Sequence, residues 1–257
     1  MVKLYKNFNI KKIHKRSIIL IGNFDGVHLG HQKLFKLAQS YKKKYNLKMG
    51  VVNFDPMPKM FFNKKLKNFR LSSKNQKLNL LNNFNIDFVV TKKFNKTFSK
   101  TKSINFIKNI LSQKLNARFI FISNNFRFGN KREGDVKLLI KNEKNFNYKV
   151  VKPKPLLVNK KIVSSSLIRN YLEKGILEKA NKLLNRKWSI EGIVQKGRQV
   201  GKKIGFPTCN IDIKDYILAR PGVYAVKVLR KNNSKYIKGI ANLGYRPTFN
   251  QKKILLE

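Results

Sequence analysis

Two of the chain's three histidines fall in one glycine-rich loop, Gly22-Asn23-Phe24-Asp25-Gly26-Val27-His28-Leu29-Gly30-His31. The apolar run 18–22 precedes the loop and a helical pattern near 31–44 follows it. Glycines there let phosphate oxygens approach the backbone, and the N-terminus of the following helix favours anions. His28 and His31 are three apart and share one face of the first turn. Two imidazoles so placed can hydrogen-bond a triphosphate and stabilise charge that develops on it. A His-x-x-His pair could also bind zinc, but the remaining candidate ligands, His14 and Cys209, are distant, which argues against a closed site. Two structural core histidines are the bland alternative. A phosphate-binding Walker sequence is absent: Gly197-Arg-Gln-Val-Gly201-Lys202-Lys203 has the wrong spacing and no final Ser or Thr.

Other residues with chemical capacity cluster further along. Ser164-Ser165-Ser166 opens a helix, where hydroxyls cap the first turn and N–H groups can face a phosphate; Arg169 adds a permanent charge on that turn. A plain N-cap explains the serines equally well. Phe126 and Phe128 fit either a binding surface or core packing. Thr208 and Asn210, two apart on a strand-like turn, offer a hydroxyl and an amide oxygen that suit a hard cation. Taken alone, Gly205-Phe206-Pro207-Thr208 reads as a mere turn.

The elements that must position these groups divide the chain in two. Strand-like runs at 18–22, 48–54, 86–91 and 118–122 alternate with helical patterns at 31–44, 73–84 and 103–115. That alternation predicts a parallel, doubly wound α/β sheet, with ligands at the carboxyl ends of the strands. Helices at 165–174 and 176–184 follow, punctuated by Gly175. Beyond Asn185 the short runs 190–195, 222–230 and 236–243, separated by Gly, Pro and Asn turns, predict a small β-barrel. The expected domains are therefore 1–185 and 186–257.

Composition narrows the class. The formal charge is +46, from 58 basic and 12 acidic residues. Only 11 of the basic residues are Arg, and the lysines are spread along the whole chain rather than gathered in an arm. Recognition of phosphates and bases favours Arg, so the charge reads as compositional drift and no specific nucleic-acid partner is expected. Because acid is scarce, Asp25, Asp55, Glu133, Asp135 and Glu257, all inside or beside motifs, become candidates for retained roles. No apolar run is long enough to span a membrane, and the basic start of the chain lacks the apolar core of a signal peptide. With one cysteine, Cys209, no disulfide can form within the chain, and a reducing cytoplasm is expected.

Gly-x-Phe-Asp-Gly-x-His-x-Gly-His resembles the ATP-binding signature of the bifunctional prokaryotic riboflavin kinase/FAD synthetase family and, more broadly, the His-x-Gly-His core of cytidylyltransferase-like enzymes. Further segments are similar to that family in order. Phe54-Asp55-Pro56-Met57-Pro58 with Phe62 resembles its flavin-contacting segment. Asn124-Asn125-Phe126-Arg127-Phe128-Gly129 with Arg132-Glu133-Gly134-Asp135 resembles its Phe-x-Phe-Gly…Arg-Glu-Gly-Asp loop, with Asn124 where an acidic residue is common. Ser164-Ser165-Ser166-Leu167-Ile168-Arg169 resembles its phosphate-binding turn, Ser166 replacing Thr. In the second half, Gly205-Phe206-Pro207-Thr208-Cys209-Asn210, Pro221-Gly222-Val223-Tyr224 and Asn242-Leu243-Gly244-Tyr245-Arg246-Pro247-Thr248-Phe249 resemble the riboflavin kinase module.

The resemblance implies a nucleotidyltransferase domain followed by a kinase barrel. The barrel would phosphorylate riboflavin to FMN with ATP, and the first domain would join FMN to AMP from a second ATP, giving FAD and pyrophosphate. It implies that Gly22, Asn23, Phe24, Asp25, Gly26, Gly30, Ser164, Ser165, Ser166 and Gly205 contact ATP. His28, His31 and Arg169 would act on the transferring phosphates. Phe54, Pro56, Pro58, Phe62, Asn125, Phe126 and Phe128 would contact flavin, and Thr208 and Asn210 would hold Mg²⁺ and phosphates. It also implies that Glu257 is the base for the riboflavin 5′-hydroxyl. Glu257 is the last residue, where the family continues. The expectation is thus a truncated, incomplete barrel with a poorly held base, weak kinase activity and retained FMN adenylylation. Two rivals stay open: a cytidylyltransferase-like enzyme acting on another acceptor, such as pantetheine phosphate or nicotinamide mononucleotide, and a nonenzymatic RNA-binding protein.

Overall fold

The computed structural model describes residues 2–66, 69–195, 205, 208–231, 233–245 and 254–257. They form two compact units, one of residues 1–66 and 74–164 and the other of residues 67–73 and 165–257.

The first unit contains, in order, β1 (Lys3–Tyr5), β2 (Ile18–Ile21), α1 (Leu29–Tyr45), β3 (Met49–Asp55), α2 (Pro58–Phe62), α3 (Lys74–Asn82), β4 (Phe88–Lys93), α4 (Lys96–Ser99) and α5 (Ser103–Asn105). It continues with β5 (Phe119–Phe121), β6 (Arg127–Phe128), β7 (Gly134–Asp135), α6 (Val136–Lys141), β8 (Lys149–Val151), β9 (Leu157–Val158) and β10 (Lys161–Ile162). After α5 the helix continues through Phe106–Lys114 with wider turns, the Leu115 N–H reaching the Ile110 carbonyl at 2.9 Å. Six strands lie in the order β1-β4-β3-β2-β5-β8, all neighbours parallel.

Both faces of this sheet are covered, which is why its strands read as unbroken apolar runs. Side chains alternate strictly between two cores. Ile18, Leu20, Met49, Val51, Val89, Phe119 and Phe121 pack against Leu34, Phe35 and Ala38 of α1 and Leu81 of α3. Ile19, Ile21, Val52, Phe88, Val90 and Ile120 pack on the other side against Ile107, Ile110 and Leu111 and against Val136 and Leu139 of α6. The parallel, doubly wound sheet expected from the sequence is present.

The second unit contains α7 (Ser165–Glu173), α8 (Leu177–Leu184), β11 (Val194–Gln195), β12 (Asn210–Asp212), β13 (Gly222–Val228), β14 (Ile237–Tyr245) and β15 (Ile254–Leu256). The two helices bury Ile168 and Leu172, and Ala180, Leu183 and Leu184. Among the described residues, one antiparallel sheet runs in the order β11-β12-β15-β14-β13. The segment 69–73 is tied into this unit by its backbone: the Arg70 N–H donates to the Asp215 carbonyl at 3.0 Å, and the Ile217 N–H donates to the Arg70 carbonyl at 2.8 Å. Trp188 Nε1 donates to the Leu71 carbonyl at 2.9 Å. The helices 165–173 and 177–184 therefore belong by compactness with the β-rich half.

Candidate active site

The loop between β2 and α1 is shaped by an uncommon backbone. Phe24, Gly26 and Val27 have φ of 48°, 77° and 42°. For Val27, whose β-branched side chain disfavours the left-handed region, such a conformation is strained and is held by the surrounding packing. Val27 is 1% exposed, and its carbonyl accepts from Gln32 Nε2 at 2.9 Å. The chain thereby turns sharply from the strand end into the helix, and His28 occupies the N-cap position in extended conformation.

His28 and His31 stack, their ring centres 3.6 Å apart and their planes at 21°. Phe24 meets the His31 ring edge-on at 5.2 Å. A Cβ at Gly30 would meet the His28 ring at 3.1 Å and the Val163 carbonyl at 3.3 Å, a tight fit that only a small shift of these neighbours would accommodate. His31 Nδ1 is sealed from solvent without a hydrogen-bond partner. Burial first, then the neighbouring His28, then the Lys77 charge hold the His31 pKa well below 6.5. Two stacked imidazoles at a helix start, at the carboxyl end of a central strand, are an arrangement suited to an anion. Asp25 is buried in the same loop, and Gly22 and Asn23 form its entry.

The end of β3 carries the second group. Asp55-Pro56 is cis, Met57 is buried, and Pro58 opens α2. Phe54, Phe61 and Phe62 gather around Phe94 at 6.0, 5.2 and 5.8 Å, and Phe62 is 70% exposed. Asp55 pairs with Lys74. This is an aromatic shelf open to a flat ring.

The loop 123–135 is held by its own acids. Glu133 Oε1 accepts the Ser103 N–H at 2.6 Å, at the start of α5. Asp135 caps α6 by accepting the Leu138 N–H at 2.9 Å. Gly134 admits the close approach of Ser103 and Phe128, which a Cβ would meet at 2.7 and 2.8 Å. The acids of the Arg-Glu-Gly-Asp sequence thus fix the ribbon of β6 and β7, on which Phe126 and Phe128 stack at 5.5 Å. Phe128 is buried, while Asn125 is exposed and its Oδ1 accepts from Ser123 Oγ at 2.9 Å. Asn124 donates to the Pro153 carbonyl at 3.2 Å.

In the second unit, Ser165 begins α7, with Ser166 in its first turn. Arg169 is 7% exposed, its Nε donating to the Phe69 carbonyl at 2.7 Å and its guanidinium lying 3.7 Å over the Phe69 ring. The sequence suggested a charge displayed on the first turn; one N–H and one face of this arginine instead anchor the 69–73 segment.

Among the kinase candidates, Asn210 is buried on β12 and Thr208 is exposed just before it. The Thr208 hydroxyl donates to Glu257 Oε1 at 2.9 Å. Backbone bonds in both directions tie Glu257 to Asn242, at 2.7 and 3.0 Å. Glu257 thereby extends the pairing of β15 with β14 by one residue. Gly205 sits at φ 84°. Residues 196–204, 206–207 and 246–253 lie outside the described residues, and with them Phe206, Pro207 and the Arg246–Phe249 segment. Sequence reading missed Asn53 on β3 and Lys77 on α3, both buried beside the histidine loop; a polar residue inside the apolar run Gly50-Val51-Val52-Asn53-Phe54 was the available signal.

Comparison with known proteins identifies the family of both halves of the chain. Residues 10–167 match the FAD synthetase family and residues 184–257 the riboflavin kinase family. A bifunctional riboflavin kinase/FMN adenylyltransferase from Buchnera aphidicola subsp. Schizaphis graminum is 42% identical over 97% of this chain and 80% of its own length. The proteins of that name from Escherichia coli K12 and Bacillus subtilis 168 are 35% and 32% identical, over 90% and 95% of this chain and 74% and 77% of theirs. A solved structure described as a macrolide-efflux protein from Streptococcus pneumoniae covers 99% of the chain, and 83% of its own, with a TM-score of 0.84 at 24% identity, a likeness of fold. No helix among the described residues is long and apolar enough to cross a membrane. The chain belongs to the bifunctional riboflavin kinase/FMN adenylyltransferase family, whose two ATP-dependent activities convert riboflavin to FMN and FMN to FAD.

Proposed function

We propose that the stacked His28–His31 pair is the centre of adenylyl transfer, and that the two activities are divided at about 185/186 between a nucleotidyltransferase domain and a kinase domain. The observation that carries this reading is the pair itself: two imidazoles 3.6 Å apart at a helix start, with His31 Nδ1 lacking a protein partner. A phosphate oxygen of the FMN attacks the α-phosphorus of ATP, the bond to the bridging oxygen breaks, and pyrophosphate leaves. His28 and His31 donate to oxygens that gain charge in this step. The loop Gly22–Gly30 and the Ser164 hydroxyl hold the nucleotide; Ser165, Ser166 and Arg169, which open the second unit, are assigned to phosphate contact by the family resemblance alone. Phe54, Pro56, Pro58 and Phe62 form the shelf for the flavin, joined by Asn125, Phe126 and Phe128.

In the kinase half, Glu257 accepts the proton of the riboflavin 5′-hydroxyl as its oxygen takes the γ-phosphoryl group and ADP leaves. Thr208 and Asn210 offer a hydroxyl and an amide oxygen that fit Mg²⁺, and Gly205, where a Cβ would meet nothing within 4 Å, leaves room for phosphate. The ion, when bound, neutralises phosphate charge. A cytoplasmic enzyme with small-molecule substrates and no specific nucleic-acid partner is consistent with the dispersed lysines. The test is incubation with riboflavin, ATP and Mg²⁺, and separately with FMN, ATP and Mg²⁺, followed by separation of the flavins. FAD from FMN supports the adenylyl-transfer reading; its absence, together with tight RNA binding, would favour the binding-protein rival.

A further inference from the structure

Beside the histidine loop stands a lysine that the reading above does not use. Lys77 lies on α3, which packs on the same face of the sheet as α1 through Leu81. It is 8% exposed, and its Nζ donates to the Asn23 carbonyl at 3.3 Å, within the loop. Its charge is also felt at His31.

The space around it holds polar atoms that the protein itself leaves unmatched. Asn23 Oδ1, His31 Nδ1 and both amide atoms of Asn53 are sealed from solvent without a hydrogen-bond partner. Asn53 is fully buried on β3. By strand alternation it faces the same side as Val51, toward α1 and α3. The loop leaves β2 beside it, the Gly22 N–H donating to the Val52 carbonyl at 3.1 Å. Buried groups of this kind are rare and costly, and they gather where a ligand completes the structure.

We propose that Lys77 and Asn53 form an anion subsite for the 5′-phosphate of the flavin nucleotide, the acceptor in adenylyl transfer. This rests on the adenylyl-transfer reading above. The sidedness follows from topology. The aromatic shelf begins directly after Asn53; Phe54 packs on the opposite face of the sheet, so a flavin on Phe54 and Phe62 would meet Asn53 and Lys77 only with its phosphate tail, across the end of β3. β5 and β8, which lead to Ser164, lie on the other side of β2. A compact ammonium balances the phosphate, and the Asn53 amide donates to a second oxygen, leaving the third to attack.

The experiment is initial-rate kinetics of FAD formation by the full chain, with FMN and ATP varied separately. The Lys77→Met variant should raise the KM for FMN about tenfold or more while the KM for ATP stays nearly constant. Lys77→Arg should recover most of the loss, and riboflavin phosphorylation should be unaltered in both. An unchanged KM for FMN, or an equal rise in the KM for ATP, overturns the subsite. If Lys77→Met does not fold, Asn53→Asp decides: a carboxylate beside the phosphate must raise the KM for FMN, and failure to do so overturns the proposal. FAD formation by the unaltered chain is measured first. Its absence overturns the adenylyl-transfer reading and this subsite with it, whereas a normal unaltered chain with insensitive variants overturns the subsite alone.

Discussion

The Thr208 hydroxyl and the Glu257 carboxylate meet at 2.9 Å across 49 residues of chain. β15 makes the meeting possible. It pairs with β12, which Thr208 precedes, and with β14, which carries Asn242. A candidate cation ligand and a candidate base are therefore held by one sheet. Glu257→Gln should lower FMN formation from riboflavin by about 10²-fold or more, the usual range for losing a general base. Thr208→Ala should do the same. FAD formation from supplied FMN should persist in both variants, because its chemistry lies elsewhere. Loss of both activities together would contradict the division of labour.

Replacing His28 with Ala should lower FAD formation by about 10²-fold or more, the range for removing one preorganised donor to a developing charge. Conversion of riboflavin to FMN should be unaffected. The two products are resolved by chromatography of one reaction mixture, so each variant carries its own internal control. Equal loss of FMN and FAD would show that the pair supports folding rather than chemistry.

How far the sequence carried depends on the kind of residue. β2, β3, β4 and β5 were legible because helices cover both faces, so each strand is a continuous apolar run. β1 (Lys3–Tyr5) and β8 (Lys149–Val151) were not; each is three residues long and lysine-bearing, and lies at a sheet edge. The histidine loop was legible because few residue types tolerate its backbone and its chemistry together. Arg169 was only half legible, since its Phe69 partner lies 100 residues earlier and no local spacing announces it. Glu133 and Asp135 drew notice as scarce acids, but the structure uses them to accept backbone N–H groups, and sequence cannot separate that from contact with substrate.

Gly50 offers a test of the sheet that supports both ligand sides. It lies on β3 opposite Phe88 of β4, and a Cβ there would sit 2.1 Å from the Phe88 ring. The ring is fully buried and has no room to withdraw. Gly50→Ala should destabilise the first unit by about 1–3 kcal/mol, as overpacking does. Urea unfolding should show a lower midpoint, and the double variant with Phe88→Leu should recover part of it. An unchanged midpoint would show that β3 and β4 can shift apart.

The charge of +46 predicts attraction to RNA without recognition. Dispersed lysines neutralise phosphates independently of sequence, so affinity should fall steeply with salt. Titrations of unrelated RNAs at low and at physiological salt should give similar, weak binding that disappears at the higher salt. A complex with one RNA that survives such salt would point to a dedicated nucleic-acid surface.

The lowered pKa of His31 predicts how the adenylylation site responds to acid. Burial is the main cause, with His28 and Lys77 adding to it. A histidine whose pKa falls on folding contributes stability that is fully present above its unfolded value near 6.5 and is lost as the pH drops through the folded value. Ring signals of His31 in the free protein should therefore show no titration near pH 6.5, and thermal stability should decline only under more acidic conditions. Nucleotide binding changes the balance. A triphosphate beside the pair brings negative charge, which favours the protonated ring and raises its pKa. Binding should then take up protons below neutrality, measurable by calorimetry in buffers of different ionisation enthalpy. His31→Gln should remove most of that uptake. Proton release on binding, or titration of His31 near 6.5 in the free protein, would mean that the ring is not held neutral for the nucleotide.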